Sequence, residues 1–163
     1  MRLALIVNIW ADWSFLEHTL RIMRPLVDGV IIVGSEKSNK GEVSKIPIKW
    51  YTDDLYIREP QFHHSMNSET DKRNYGLRIA KEQGYTHFLT SDSDEIYEPE
   101  RFLKAKEMFL NPELKGLVCP TRVYFGSPNL TIGFDGTLVP FIHKLSPNIH
   151  HEFNKLYPFA WDK

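Results

Sequence analysis

The chain has 163 residues and a formal net charge of -1 at pH 7, with 25% of its residues charged. This length predicts one domain with a sizeable core. The near balance of charges argues against a nucleic-acid binder that relies on a broad basic face. The single cysteine, Cys119, excludes an internal disulfide and fits a reducing, cytoplasmic compartment. The apolar opening run is too short for a signal peptide or a membrane span.

The first half of the chain contains three predicted strands. Residues 3–7 and 30–33 are continuous apolar runs, which are typical of strands covered on both faces. Residues 46–51 alternate enough to predict a third strand, near an edge because of Pro47. Residues 52–67 are predicted to be an irregular loop, and long loops in compact domains are often functional.

Three helices are predicted between these strands and after them. The first runs from about Ser14 to Arg24, where Pro25 ends it. The second begins near Ser68 and is closed by Gly84 in the left-handed conformation. The third covers residues 99–110. The alternation of strands and helices predicts an α/β sandwich with a mostly parallel central sheet.

The most informative stretch is residues 85–95, in which a short apolar and β-branched run ends in three acids. Read as a strand, it leaves the core and delivers Asp92 and Asp94 at its tip. Because residues two apart share one face of a strand, both carboxylates are expected to point at one object. Two convergent carboxylates at the carboxyl end of a buried strand suit a hard divalent cation.

The remainder of the chain predicts further strands. Residues 116–119 and 122–125 are read as strand pieces separated by Pro120, and residues 138–145 as another strand. The chain is therefore expected to be one domain, residues 1–163. Within it, residues 1–110 carry the alternation of strands and helices, and residues 111–163 form a shorter second part.

Several motifs resemble the family 2 glycosyltransferases, which have the GT-A fold. Three segments each resemble a segment of the family. They are the first strand with its helix, the run LVDGVIIV at residues 26–33, and the run KRNYGLRIA at residues 72–80. Residues 86–99 are similar to the family's metal-binding strand and DxD motif. The segment IHHE at residues 149–152 is similar to one found in a bacterial lipopolysaccharide-type subgroup.

The resemblance implies a GT-A-like three-layer sandwich and a metal-dependent, hexosyltransferase-like enzyme. It implies a nucleotide-diphosphate sugar as donor, a saccharide or other hydroxyl compound as acceptor, and Mn²⁺ or Mg²⁺ as cofactor, with inversion at the transferred carbon. It also implies that residues 1–110 form the nucleotide-sugar-binding part and residues 111–163 a short acceptor-side part. In these roles Asp94 binds the metal directly. Asp92 binds the donor's ribose or reaches the metal through water.

Further donor contacts are expected around the second helix. Lys72 and Arg73 are candidates for a phosphate or base, and their alternative is a solvated helix face. Asn74 is a candidate substrate contact that could instead hold a loop through its amide. The family's base-contacting aspartate after the second strand is replaced by Gly34. Asp53, or its neighbour Asp54, is the expected substitute.

An inverting transferase needs a carboxylate that takes the acceptor's proton. The candidates are Glu152, which is favoured, and Asp135, which lies between two glycines and is also typical of a turn. His151, or its neighbour His150, could complete the metal shell, because neutral imidazole ligates such ions. Adjacent residues of a strand face opposite ways, so at most one of the two is expected at the site.

Two other functions remain open. A metal-dependent nucleotidyl or phosphoryl transferase can also carry acids at a strand end, although the first strand is followed by no Gly-rich phosphate loop. A non-catalytic sugar- or nucleotide-binding module is consistent with the short C-terminal part. Even the acids at residues 92–98 have a simpler explanation, as solvated charges preceding a helix.

Overall fold

The central sheet of the molecule is built from strands that alternate with helices along the chain. The computed structural model describes residues 1–10, 13–35, 38, 42–43, 55–58, 67–125, 127, 129–154 and 157–161. The strands and helices within these ranges are β1 (Leu3–Ile9), α1 (Trp13–Met23), β2 (Gly29–Gly34), β3 (Leu55–Arg58), α2 (Asn67–Glu82), β4 (His87–Asp92), α3 (Pro99–Met108), β5 (Gly116–Tyr124), β6 (Thr131–Lys144), β7 (His150–Asn154) and β8 (Tyr157–Trp161).

The main sheet has six strands in the order β3-β2-β1-β4-β6-β5. β1 is parallel to both β2 and β4, and β2 is parallel to β3. β6 is antiparallel to β4 and to β5, so one edge of the sheet is an antiparallel hairpin. β7 and β8 form a separate antiparallel pair. This topology confirms the mostly parallel central sheet expected from the sequence.

Helices cover both faces of the parallel strands. One apolar cluster joins Leu5 and its same-face neighbours in β1 to Leu16 of α1 and Phe102 of α3. The other joins Ile6 to Leu77 of α2. Successive residues of β1 therefore serve opposite layers, which is why residues 3–7 are apolar without interruption. The three-layer sandwich is confirmed, and no helix within the described ranges is long and apolar enough to cross a membrane.

Two glycines fix how α2 meets the sheet. A Cβ at Gly76 would lie 2.3 Å from Cγ2 of Ile6 and 3.3 Å from Cγ2 of Val33, so the helix can sit this close only with glycine. Gly84 follows the helix with φ of 73°, which is the predicted left-handed end. The glycines set the depth of the helix over β1 and the direction in which the chain enters β4.

The structure corrects four sequence interpretations. Leu55–Arg58 is a strand within the stretch read as irregular, while residues 46–51 lie outside the described residues. β5 runs through Pro120 as one strand, because a register shift at Pro120 and Arg122 absorbs the proline. β6 begins at Thr131, so Asp135 lies in a strand and not in a turn. β4 ends at Asp92, so it does not extend through residue 95.

Candidate functional site

The strand order places one crevice at the carboxyl edge of the sheet. From β1 the chain proceeds outward to β2 and β3, whereas β4 lies on the opposite side of β1. In open α/β sheets ligands bind at such a switch point, beyond the carboxyl ends of the strands. Asn8 of β1 and Asp92 of β4 are direct register partners there. The predicted acidic residue thus lies beside the point where this topology favours a ligand.

A tight turn follows β4 and carries the other acids. The N–H of Glu95 donates to the carbonyl of Asp92 at 3.2 Å, and the Glu95 carboxylate accepts from the N–H of Asp92 at 3.1 Å. The hydroxyl of Thr19 in α1 donates to the carbonyl of Ser93 at 2.6 Å, which anchors the turn to the helix layer. Asp94 is exposed in this turn. Strand alternation therefore does not relate Asp92 to Asp94, contrary to the sequence argument.

Arg73 of α2 joins two acids at this edge. Its Nη2 lies 2.7 Å from Oε1 of Glu69 and 3.1 Å from Oδ1 of Asp92. The Arg73 side chain is only 12% exposed, whereas 48% of the Asp92 side chain is exposed. The guanidinium is thus held in place by packing, while the carboxyl of Asp92 stays accessible from outside.

The surroundings of Asp92 oppose its ionisation. The turn and α2 enclose one side of the carboxyl, and this partial burial raises the pKa of Asp92. The positive charge of Arg73 lowers that pKa, and the negative charges of Glu69 and Asp94 raise it. Burial also raises the pKa of Glu95, and the charge of Asp92 adds to the effect. Several acids therefore share one small region that a further positive charge would stabilise.

Lys72 of α2 is buried, so it does not lie on a solvated face of the helix. Only 5% of the residue is exposed. Burial lowers its pKa, while the charges of Glu69 and Asp92 raise it. A buried ammonium group near acids of the carboxyl edge is a fixed positive charge on the side of the sheet where Asp92 lies.

The acids at this edge suit a metal ion that is coordinated mainly by a bound substrate and less by the protein. Among the described residues, no three His, Cys, Asp or Glu side chains are grouped closely enough to hold a metal ion. Mg²⁺ is often bound by one or two carboxylates together with water and substrate phosphates. The candidates for that role at this edge are Asp92, which is half exposed, and Asp94, which is exposed.

His151 and Asn74 hold β7 against the sheet. The Asn74 amide donates to the carbonyl of His151 at 2.9 Å and accepts from its N–H at 2.6 Å. The His151 ring is buried, with Nε2 3.3 Å from the hydroxyl of Thr90 and an edge-on contact with Phe88. Asn74 therefore holds β7 through its amide, which is the alternative role considered for it above. His151 packs against Thr90 and Phe88 of β4.

Glu152 lies on the outer face of β7. Its Oε1 is 2.7 Å from Nε2 of His150, and 46% of its side chain is exposed. Nδ1 of His150 is 2.9 Å from the carbonyl of Asn148. As expected for adjacent residues of a strand, His150 and His151 face opposite ways. The candidate base is thus paired with the histidine that points outward.

Two predicted site residues lie past this crevice or outside the described residues. Asp135 lies seven residues before Ile142, which pairs with Leu89, and Asp92 lies three residues beyond Leu89 in the same direction. Asp135 is therefore about four residues, roughly 13 Å, past the level of Asp92. It belongs to the part of the β5–β6 hairpin that extends past the carboxyl edge of the sheet. Asp53 lies outside the described residues.

Sequence reasoning missed three residues of this region. No motif singles out Glu69, and Glu95 is predicted only as the last of three acids, because their contacts with Arg73 and the Asp92 backbone depend on the tertiary fold. The strand predicted over residues 3–7 stops short of Asn8, yet Asn8 is the second-last residue of β1 and 6% exposed. An asparagine that directly follows a buried apolar run was the available signal.

Comparisons with known proteins show similarity in structure and not in sequence. No family model and no curated protein matches the chain. S. aureus TarS 1-349 matches 88% of this chain over 47% of its own, with a TM-score of 0.51 and 15% identity. A 4-diphosphocytidyl-2C-methyl-D-erythritol synthase matches 88% of this chain over 74% of its own, with a TM-score of 0.52 and 14% identity.

The chain spans about half the length of the TarS structure that it matches. At these identities the matches establish the fold and nothing finer. The chain therefore has the GT-A-like α/β fold that its motifs led us to expect.

Proposed function

We propose that this chain is a transferase that binds a nucleotide-diphosphate sugar and moves the sugar to an acceptor hydroxyl. The observation that carries the proposal is the position of Asp92, half exposed and paired with Arg73, at the switch point of a mostly parallel sheet. Structural likeness to a synthase named for a diphosphocytidyl product is consistent with a nucleotide ligand at this edge.

Charge complementarity supports a diphosphate ligand. Lys72 and Arg73 carry positive charge on the α2 side of the crevice. Asp92, which is paired with Arg73, and the neighbouring Asp94 carry negative charge, and a divalent cation would let them approach phosphates. A Mn²⁺ or Mg²⁺ ion held by these two carboxylates would stabilise the negative charge of the departing diphosphate.

Glu152 is the proposed base for the acceptor. Its carboxylate is 46% exposed and lies 2.7 Å from Nε2 of His150, so an incoming hydroxyl group can reach it. Asp135, on the hairpin that extends past the sheet edge, is the second candidate. Full transferase activity in Glu152→Gln would exclude Glu152 as the base, and the same result in Asp135→Asn would exclude Asp135.

Asp94→Ala provides the direct test of the donor site. Calorimetry with UDP, CDP, GDP and ADP, each with and without Mn²⁺, should show that the wild-type chain binds a nucleotide more tightly with the metal. The variant should lose this metal-dependent gain and keep its fold, because Asp94 is exposed. Glu100→Ala, an exposed acid in the first turn of α3, is the matched control and should behave as wild type. Unchanged metal-dependent binding in Asp94→Ala would contradict the proposal.

A nucleotidyl transferase is the second candidate, favoured by the likeness to the diphosphocytidyl synthase. It differs in its substrate, since a nucleoside triphosphate would take the place of the sugar nucleotide. Thermal-shift measurements with both ligand classes separate the two functions, because the ligand that binds the folded state raises the unfolding temperature. Stabilisation by a free sugar alone would instead indicate a binding module.

A further inference from the structure

Asn8 has a buried side-chain amide that no described residue satisfies. The residue is 6% exposed, and neither Nδ2 nor Oδ1 has a hydrogen-bond partner within the described part of the chain. Buried polar groups are almost always hydrogen-bonded, since an unsatisfied one destabilises the fold. An amide kept in this state at a candidate binding site points to a partner that arrives from outside.

Asn8 lies at the carboxyl edge of the sheet, between the ends of β2 and β4. It pairs with Asp92 of β4 on one side and with Val33 of β2 on the other. It therefore stands at the switch point itself, on the α2 face of β1, two residues after Ile6. The end of β2 beside it is Gly34, which has no side chain for contact with a ligand.

Lys72 lies above the same end of β1. Gly76 packs against Ile6, and α2 runs antiparallel to the strands, as the helix between two parallel strands must. Lys72 lies four residues before Gly76, which places it about 6 Å nearer the carboxyl edge. Two residues of strand from Ile6 to Asn8 cover about 6.6 Å in the same direction. Lys72 is therefore at about the same level along the sheet as Asn8.

We propose that Asn8 reads the base of the nucleotide, with its amide pairing one donor and one acceptor on the edge of the base. This inference rests on the proposed function. A primary amide offers one N–H donor and one carbonyl acceptor side by side, as the edge of a nucleobase does. A site built to hydrogen-bond one ligand group discriminates strongly against ligands that leave its buried groups unpaired.

Asn8→Leu tests the assignment, because leucine fills a similar volume without polar atoms. Affinities for UDP, CDP, GDP and ADP are measured by calorimetry with Mn²⁺, with pyrophosphate as a ligand that has no base. Wild type should prefer one base, and Asn8→Leu should bind that nucleotide about 10- to 100-fold more weakly. Its affinity for pyrophosphate should stay unchanged, and its ligand-free unfolding temperature should rise, since an unsatisfied amide has been removed.

Two further variants sharpen the test. Asn8→Thr keeps a single hydroxyl group and should lose part of the base preference, which decides the matter if Asn8→Leu does not fold. Ile9→Leu, a volume-conserving change on the α1 face of the same strand, is the control and should bind as wild type.

The outcomes separate this inference from the proposed function. If wild type binds nucleotides and the Asn8 variants keep its base preference, the assignment of Asn8 is overturned and the donor site stands. Equal weakening of pyrophosphate and nucleotide in those variants also overturns it, because that is the result of a structural defect. If wild type binds no nucleoside diphosphate, both proposals fall.

Discussion

Several side chains at the carboxyl edge lie in surroundings that disfavour their charged forms. Lys72 is buried although it carries a charge, and Asp92 and Glu95 have raised pKa values through burial and mutual repulsion. Groups with shifted pKa values in a crevice are characteristic of functional sites. Their cost to the fold is measurable, and removing a charge here should stabilise the chain while it weakens ligand binding.

Lys72→Met should raise the free energy of unfolding at pH 7. Burial holds the pKa of Lys72 below its ordinary value of 10.5. Between the lowered pKa and 10.5, the unfolded chain binds a proton that the folded chain lacks, so the stability contributed by this residue rises with pH. Methionine has no charge to bury, so the advantage of the variant should shrink as the pH approaches 10.5.

Urea denaturation at several pH values between 7 and about 10.5 measures this difference. Lys104→Met on α3 is the control, because Lys104 is exposed and should change stability by no more than about 0.5 kcal/mol. A Lys72→Met chain that is less stable than wild type at pH 7, or whose advantage does not shrink with pH, would contradict this account.

At the scale of elements, α2 organises the site, since it carries Glu69, Lys72 and Arg73 over the sheet and holds β7 through Asn74. Its depth depends on Gly76, and its contact with the C-terminal segment depends on one amide. Mutations at Gly76 and at Asn74 test these two contacts.

Gly76→Ala should destabilise the chain by about 1–3 kcal/mol, because its Cβ would clash with the fully buried Ile6. Helix propensity alone would favour alanine by about 1 kcal/mol, so the sign of the effect distinguishes the two influences. Urea denaturation of a double-mutant cycle with Ile6→Ala is the check. The cost of Gly76→Ala should fall in the Ile6→Ala background, and an equal cost in both backgrounds would rule out the clash.

Asn74→Ala should cost about 1–3 kcal/mol, since two hydrogen bonds to the His151 backbone are lost. Hydrogen exchange should reveal faster exchange of the amides in β7. Asn111→Ala, which removes only an exposed local bond to the N–H of Glu113, is the matched control. Unchanged protection of β7 in Asn74→Ala would mean that the segment is held by other contacts.

At the scale of the whole molecule, the sequence predicts the parallel half of the fold well. The strands β1 and β2 contain continuous apolar runs because both faces are covered, β4 is a short apolar and β-branched run that ends in acids, and Gly84 marks the end of α2. β3 is not predicted from the sequence, because four alternating residues flanked by acids give only a weak strand pattern. β5 and β6 are predicted only in pieces, residues 116–119, 122–125 and 138–145, because proline and glycines lie at register shifts and at positive φ within these strands.

The position of Asp92 at the end of a strand could be predicted from the sequence, and its contacts with other elements could not. A strand that ends in acids identifies Asp92, since the local sequence determines both the strand and its end. The ion pair of Arg73 with Asp92, 19 residues apart, and the register of Asn8 with Asp92 depend on how α2 and the strands meet. Those relations are tertiary, so no local pattern contains them.

Diffraction from crystals soaked with Mn²⁺ and UDP tests the central claim most directly. The account predicts an anomalous manganese peak at about 2.0–2.4 Å from carboxylate oxygens of Asp92 and Asp94, with the pyrophosphate on its other side. UDP bound elsewhere on the molecule, or bound at this edge with the manganese away from both carboxylates, would contradict it.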